Sequence, residues 1–449
     1  MPGLALSWDI DFGDKTKWTL KLRQGVSFHD GCPWNADSEL WNFKRVMDPK
    51  APQFNFRHVG MIGYTTVNIV TVDKVDDYAV AIHTKTPNAL FPYEMAMDYM
   101  ISNCAVEKDN YNWDAYYKHP SGTGPYKFDK VVAHERLELV KNEKYWNPQP
   151  MPKHDRLVLL PMPEASTRAA ALPSGQVDFV EAPSPDTHPR LKQSGMQIIT
   201  VPYPHNWDYI LRTDVPPFND LRVRQAANFT INRQDMVDML QGVAGAATQT
   251  FIDSQPWYGK PVAYDFKPDK AKALLKDAKC TPCKIKIGIS TSGSGQMQPL
   301  PMNELVKEQL EAVGFQAELV PMDWNALIGV FFGGSQKTDF NRINFSMAPI
   351  DPVQGILKKW MTGYAPPNCC NWGAFKDPKM DDLGARVLVE FDPAKRNSLL
   401  TQLNELAVAD AAEIYIVHDL NPRALSPKLS GFVQAQSWFQ DLTPIVVKP

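Results

Sequence analysis

Six cysteines and nine histidines are the residues of this 449-residue chain whose spacing could support chemistry. Cys280-Thr281-Pro282-Cys283 is the most specific arrangement. A redox C-x-x-C follows a strand and opens a helix, where the helix N-terminus lowers a thiol pKa. Here the order is inverted: a helical pattern ends at the motif, and the Ile285, Ile287, Ile289 alternation follows. A local structural disulfide is the favoured reading, with free thiols as the alternative. Zinc would need two further ligands, which the adjacent Cys369-Cys370 would supply only in awkward geometry. His134-Glu135 begins like a zinc-protease motif, but position 138 is Glu and the segment patterns as strand. His418, after the apolar run Ile414-Tyr415-Ile416-Val417, reads as a satisfied histidine at a strand end, or less simply as a ligand-reading group. Ser292-Gly293-Ser294-Gly295 lacks the spacing of a nucleophile elbow. Gly122-x-Gly124 reaches Lys127 where a dinucleotide fingerprint wants glycine. No titratable constellation organises a reaction, so no catalytic residue, metal or cofactor is expected.

Aromatic residues are the other chemistry on offer. Twelve tryptophans are available, and Trp207, Trp360 and Trp372 sit in loop-like contexts beside polar residues. Apolar walls of a binding pocket are one use for them. Charge excludes a different class of partner. Lys+Arg 47 against Asp+Glu 50 gives a net charge of -3, so no basic surface advertises nucleic acid. Hydrophobic residues at 44% and charged residues at 22% describe a folded globular chain. No run of 18 apolar residues occurs, and Met1–Asp9 lacks the basic and apolar regions of an export signal. The cysteine pairs nevertheless favour an oxidising compartment.

The elements that must position these residues are legible by period. Trp18, Leu20 and Leu22 alternate as a half-buried strand, and Asn35 can cap a helix carrying Leu40, Phe43 and Met47. Tyr126–Phe128 and Arg136–Val140 suggest an antiparallel pair. The prolines of 146–152 mark a boundary. Residues 157–160 are a continuous apolar run, predicting a strand buried on both faces. A helix over about 165–172 and a strand over 177–180 follow. Val223, Ala226, Ala227 and Thr230 stripe one helix, and Asn232 can cap another. Segment 265–320 reads helix, strand, helix, strand, with Gly314 ending the second helix, so a parallel strand–helix–strand unit is predicted.

Several landmarks together resemble the family 5 extracellular solute-binding proteins, the peptide- and nickel-type receptors of ABC importers. They are Leu4-Ala5-Leu6-Ser7-Trp8, then Leu22-Arg23-Gln24-Gly25-Val26-Ser27-Phe28-His29-Asp30-Gly31, and Asn35-Ala36-Asp37. Gly122-Thr123-Gly124-Pro125-Tyr126, Asn142-Glu143-Lys144-Tyr145-Trp146 and Ala171–Asp178 continue the series. Pro216–Ala226 and Ile231-Asn232-Arg233 complete it, all in family order. The resemblance implies an α/β fold: a two-lobed periplasmic-binding-protein clamshell of the cluster C type with an extra inserted domain. Residues 1–150 would form that inserted small α/β domain of lobe 1. Residues 151–205 and 430–449 would form the discontinuous core of lobe 1, and 206–429 the α/β domain of lobe 2. Family members carry a signal and first strands before the point where this chain opens, so one lobe is expected to lack edge strands.

The function so implied is that of an extracytoplasmic receptor, periplasmic or at the cell surface, and not an enzyme. It would capture a peptide-like or other small organic solute by closure and deliver it to ABC permease subunits, acting as a monomer without nucleic acid. A metal-chelate or metallophore receptor using His418 or the cysteines is the alternative; a hydrolase on the same scaffold is a third. Family members that grip a peptide amino group carry an acid in a W-x-x-D segment before an Asp-Pro. The matching stretch is Phe345-Ser346-Met347-Ala348-Pro349-Ile350-Asp351-Pro352, with Ala348 in the acid's place. A buried ammonium without a carboxylate is costly, so ordinary dipeptides fit less well. Arg342 could offer a carboxylate or phosphate a bidentate partner, or sit solvated on the surface. The candidate ligand-binding residues are therefore Trp207, Tyr209, Arg342, Phe345, Met347, Ala348, Asp351, Trp360, Asn371 and Trp372.

Overall fold

The computed structural model describes residues 3–149, 151–202, 204–291, 298–345, 357–368, 370–436 and 439–448. The chain divides into two compact units: Met1–Pro161 with Ser430–Val433 and Asp441–Pro449, and Met162–Leu429 with Gln434–Gln440.

In the first unit, β1 (Ala5–Ile10), β2 (Lys17–Leu22), β3 (Ile69–Asp76) and β4 (Ala79–Thr84) form an antiparallel sheet in the order β1-β2-β4-β3. Trp18, Leu20 and Leu22 are buried, as the alternation predicts. The helix Ala36–Met47 starts on Asn35, whose side chain accepts from the Ser38 N–H while the Ser38 hydroxyl returns to the Asn35 N–H. Two orphan donors of the first turn are satisfied by that exchange.

The His29-Asp30-Gly31 turn has a structural use. Asp30 accepts from the hydroxyls of Ser102 at 2.7 Å and Ser121 at 3.1 Å. His29 meets the Gly124 carbonyl oxygen at 3.0 Å and the Gly122 N–H at 3.3 Å. A turn near residue 30 is thereby clamped to the Gly122–Gly124 segment some 90 residues later, and a disulfide from Cys32 to Cys104 fastens the same neighbourhood.

The second sheet of this unit has the order β5 (Tyr126–Val132), β6 (Arg136–Lys141), β7 (Arg156–Leu159), all antiparallel. Two expectations are corrected here. His134-Glu135 lies in the β5–β6 turn, with His134 at φ 63°, and not in a strand. The run at 157–160 does form a strand, but β7 is an edge that pairs only with β6, and Val158 and Leu159 are exposed. An apolar run reports β-propensity; it does not report how many neighbours a strand finds.

In the second unit, β8 (Phe179–Glu181), β9 (Gln197–Ile199) and β16 (Arg423–Leu425) make a small antiparallel sheet ordered β8-β16-β9. The larger sheet is mixed and six-stranded. It comprises β10 (Asn206–Leu211), β11 (Ala244–Ala246), β12 (Cys283–Ser290), β13 (Phe315–Met322), β14 (Arg342–Asn344) and β15 (Glu413–Asp419), ordered β11-β15-β10-β14-β12-β13. β12 runs parallel to β13 through the helix Pro299–Glu311, as the pattern predicts. The helices Leu221–Thr230, Pro268–Asp277 and Pro299–Glu311 contribute Val223, Ala226, Ala227, Leu275, Val306 and Leu310 to one core with the strands. Cys280 and Cys283 are disulfide-bonded across the turn before β12.

The two disulfides differ in reach. Cys32–Cys104 spans 72 residues and Cys280–Cys283 spans three. In the chain-entropy model the first stabilises by about 4 kcal/mol and the second by about 2 kcal/mol. Denaturant melts of C32A/C104A and C280A/C283A should therefore show the larger loss for C32A/C104A.

Candidate ligand-binding site

Ligands of open α/β sheets are taken at the carboxyl ends of parallel strands. β14 runs parallel to β12, so Ser290 and Asn344 end their strands on the same side of the sheet. The described chain that follows those strand ends is Thr291 and, after β14, Phe345 with the stretches 357–368 and 370–376, the excursion. Residues 292–297 and 346–356 lie outside the described residues, and so do the candidates Met347, Ala348 and Asp351, together with Cys369.

The remaining candidates fall into three groups. Trp207, Tyr209 and Arg342 share one face of the sheet. Leu211 stands opposite Arg342 and Tyr209 opposite Asn344, and the Trp207 and Tyr209 rings meet edge-on at 5.5 Å. All three side chains are buried, and the loop contexts read for Trp207 and Trp360 are in fact a strand and a single helical turn. Phe345 and Trp372 belong to a second apolar cluster with Ile210, Ile343, Leu327, Phe331 and Phe340. Phe345 is stacked between Phe331, at 4.1 Å, and Trp324, at 5.2 Å. Trp360 and Asn371 lie in the excursion. The Asn371 side-chain amide donates to the Met361 and Phe375 carbonyls and accepts from the Phe375 N–H, so it is the hub of a tight fold-back. Glycine is required at 373, because a Cβ there would collide with the Leu211 carbonyl oxygen.

Arg342 is neither solvated nor bidentate. It is fully buried, its guanidinium lies 4.1 Å over the Tyr209 ring, and none of its three nitrogens has a hydrogen-bond partner among the described residues. Burial pulls its pKa down to about 10, which leaves it cationic at neutral pH. The Tyr209 hydroxyl points away from it, donating to Asn303 at 2.6 Å. Asn303 in turn donates to Asn344, and Asn344 to the Asp208 carbonyl.

Beside this polar chain lies a charged cluster that pattern reading passed over. Lys359, from the excursion, places its ammonium 3.0 Å from Asp208 on β10 and 2.7 Å from Glu413 on β15. All three residues are buried. Asn206 also donates to Asp208. Burial, then the neighbouring Asp208 carboxylate, pushes the Glu413 pKa up to about 8 against the opposing pull of Lys359. The sequence does carry a signal for these groups. Asp208 interrupts Trp207-Asp-Tyr-Ile-Leu211, and Glu413 opens Glu-Ile-Tyr-Ile-Val417. A charge inside an otherwise apolar strand calls for a buried partner.

His418 is buried near the end of β15, with its pKa lowered to about 4 by burial first and by His205 second. Among the described residues no group of three or more His, Cys, Asp or Glu side chains is placed to hold a metal ion.

A mixed α/β unit is thus joined in one chain to a second unit of helices and sheets. The model for bacterial extracellular solute-binding proteins, family 5, matches residues 1–368, and the chain belongs to that family. A glutathione-binding protein, GsiB, of Pectobacterium atrosepticum is 27% identical over 441 residues, covering 96% of this chain and 82% of the relative. Heme-binding protein A of Haemophilus influenzae is 25% identical over 475 residues, covering 97% and 82%. Among solved structures, the ABC transporter-associated periplasmic binding protein DppA of Helicobacter pylori, in complex with the peptide STSA, superposes with a TM-score of 0.83. It is 23% identical and covers 100% of this chain and 89% of its own; at that identity it supports the fold alone. The chain is thus a solute-binding protein of the ABC-importer class.

Two outcomes follow from the buried charges. Arg342→Met removes a buried charge that has no hydrogen-bond partner among the described residues, and chemical denaturation should show a gain of at least about 1 kcal/mol after loss of the ring contact. Glu413 has a folded-state pKa above its unfolded value, so its contribution is complete below about pH 4.5 and is lost as pH rises through about 8. Melting temperatures at pH 5 and pH 8.5 should therefore fall less in Glu413→Gln than in the parent chain.

Proposed function

We propose that this protein captures a small peptide-like solute outside the cytoplasm and hands it to the membrane subunits of an ABC importer, without chemistry of its own. Family membership over residues 1–368 is the observation that carries this reading. The carboxyl-end excursions of β12 and β14 are its proposed recognition elements, with Phe345, Met347, Ala348, Asp351, Trp360, Asn371 and Trp372 as the candidate contacts. Trp207, Tyr209 and Arg342 are proposed to act from beneath, as the packed support of β14.

Ala348 narrows the solute. Where other members place a carboxylate for a free amino group, this chain has a methyl group, and a buried ammonium there would lose its counter-charge. The proposed solute is therefore one whose amino group is blocked, absent or left at the rim. Glutathione, named for the Pectobacterium relative, carries a free ammonium on its γ-glutamyl residue, which this reading leaves at the rim, and it is the peptide to try first. The metallophore reading receives less support. Cys32, Cys104, Cys280, Cys283 and Cys370 are all disulfide-bonded, which withdraws them as thiolate ligands, and His418 is buried in its strand. Disulfides also accord with a proposed periplasmic or cell-surface location. No helix among the described residues is long and apolar enough to cross a membrane. A net charge of -3 offers nucleic acid no attraction, and we propose that the receptor works as a monomer.

Native mass spectrometry of the purified chain, followed by denaturation, tests the reading. An adduct of a few hundred daltons that leaves on unfolding is the expected result, and its mass names the solute class. Thermal titration with glutathione and with N-blocked peptides is the companion measurement. A true solute at 100 times its Kd should stabilise by about 2.7 kcal/mol. A chain that carries no adduct and is stabilised by no peptide would overturn the proposal.

A further inference from the structure

We infer that Lys359 is the positioning residue of the recognition excursion, setting where Trp360, Asn371 and Trp372 stand on the sheet while touching no solute itself. The inference rests on the proposed reading that this excursion contacts the solute.

Regular structure does little to hold the excursion. Its described part has one helical turn at Lys358–Trp360 and a short 3-10 turn at Thr362–Tyr364. It is knitted internally: the Cys370 N–H donates to the Lys358 carbonyl, the Asn371 N–H to the Tyr364 carbonyl, and the Asn371 side chain ties Met361 to Phe375. A displacement of residues 358–361 is therefore carried directly into 370–372. At its far end the excursion meets the helix Trp324–Gly333, where the Trp372 indole donates to the Val330 carbonyl.

Lys359 is the charged link from this knot to the sheet. Its ammonium meets a carboxyl group on each of two adjacent strands, Asp208 at 3.0 Å and Glu413 at 2.7 Å. Two short polar contacts from different strands fix a point in both directions of the sheet plane. Apolar packing of Trp360 or Leu357 against the same surface would be as adhesive but not directional. Burying an ammonium with two carboxyl groups is a poor route to stability, because desolvation offsets most of the attraction. What such a cluster supplies that an apolar plug does not is register.

Placement separates from stability in a full-chain variant in which all three titratable groups are replaced by uncharged side chains of similar size, D208N/K359M/E413Q. We expect it to melt close to the parent chain. We expect amide hydrogen exchange over 357–364 and 370–375 to rise while β10 and β15 keep their protection. Reduced glutathione, measured by calorimetry, should bind about tenfold or more weakly, the size of effect that displaced support of a binding group produces. Parent-like exchange in the excursion, or parent-like glutathione affinity, would overturn the inference. Should the triple variant fail to fold, Glu413→Leu alone removes the acceptor and cuts one contact; a smaller loss of affinity at unchanged melting temperature supports the inference, and an unchanged Kd overturns it. A parent chain that does not bind glutathione would speak against that solute, not against Lys359. The exchange pattern of the triple variant then decides: a rise confined to the excursion supports positioning, and no rise overturns it.

Discussion

The second unit depends on the complete burial of its central strand. All six residues of Asn206–Leu211 are shut off from solvent, with β15 on one side and β14 on the other. Every polar group on that strand must find a partner inside the protein, because an unpaired one costs the full loss of hydration. Part of this demand is met: Asn206 donates to Asp208, Asp208 also accepts from Lys359, the Asp208 carbonyl accepts from Asn344 and the Tyr209 hydroxyl donates to Asn303, while Asn206 Oδ1, Asp208 Oδ1 and Trp207 Nε1 have no hydrogen-bond partner among the described residues. Lys359, Asn344 and Asn303 come from the excursion, from β14 and from the first turns of the helix Pro299–Glu311. One buried strand thus organises the three segments that lead to the carboxyl edge of the sheet.

Arg342 supplies the contrast. Lys359 and Arg342 are both buried cations attached to the same sheet. One has two carboxyl groups within 3.0 Å, and the other has, among the described residues, the face of Tyr209 and no hydrogen-bond partner. A ring face offers a cation a fraction of what a carboxylate offers. Lys359 is therefore held between two carboxyl groups, whereas Arg342 is held against a ring face.

Much of the fold was legible because it follows from local period and from landmark residues. The Asn35 cap, the β2 alternation, the β5–β6 pair and the β12–helix–β13 unit all depend on contacts between near neighbours in sequence. The Cys280–Cys283 link was legible for the same reason. The use of His29 and Asp30 was not, since their partners Ser102, Ser121, Gly122 and Gly124 arrive from 70 to 95 residues away. The site was legible only in part. Trp207, Trp360 and Trp372 stood out as unusual, but their contexts were read as loops, and burial in strand, turn and fold-back is what the tertiary structure shows.

Amino-acid sequence alone determined family and fold class, because both are a matter of which residue occupies which place in an ordered pattern. The tertiary structure decided which charges are paired. Asp208, Lys359 and Glu413 are separated by 151 and 54 residues, and no local period brings them together. Only the pairing of β10 with β15, and the folding of the excursion back across them, places one ammonium between two carboxyl groups. Electrostatic energy depends on distance and burial, and neither is written along the chain.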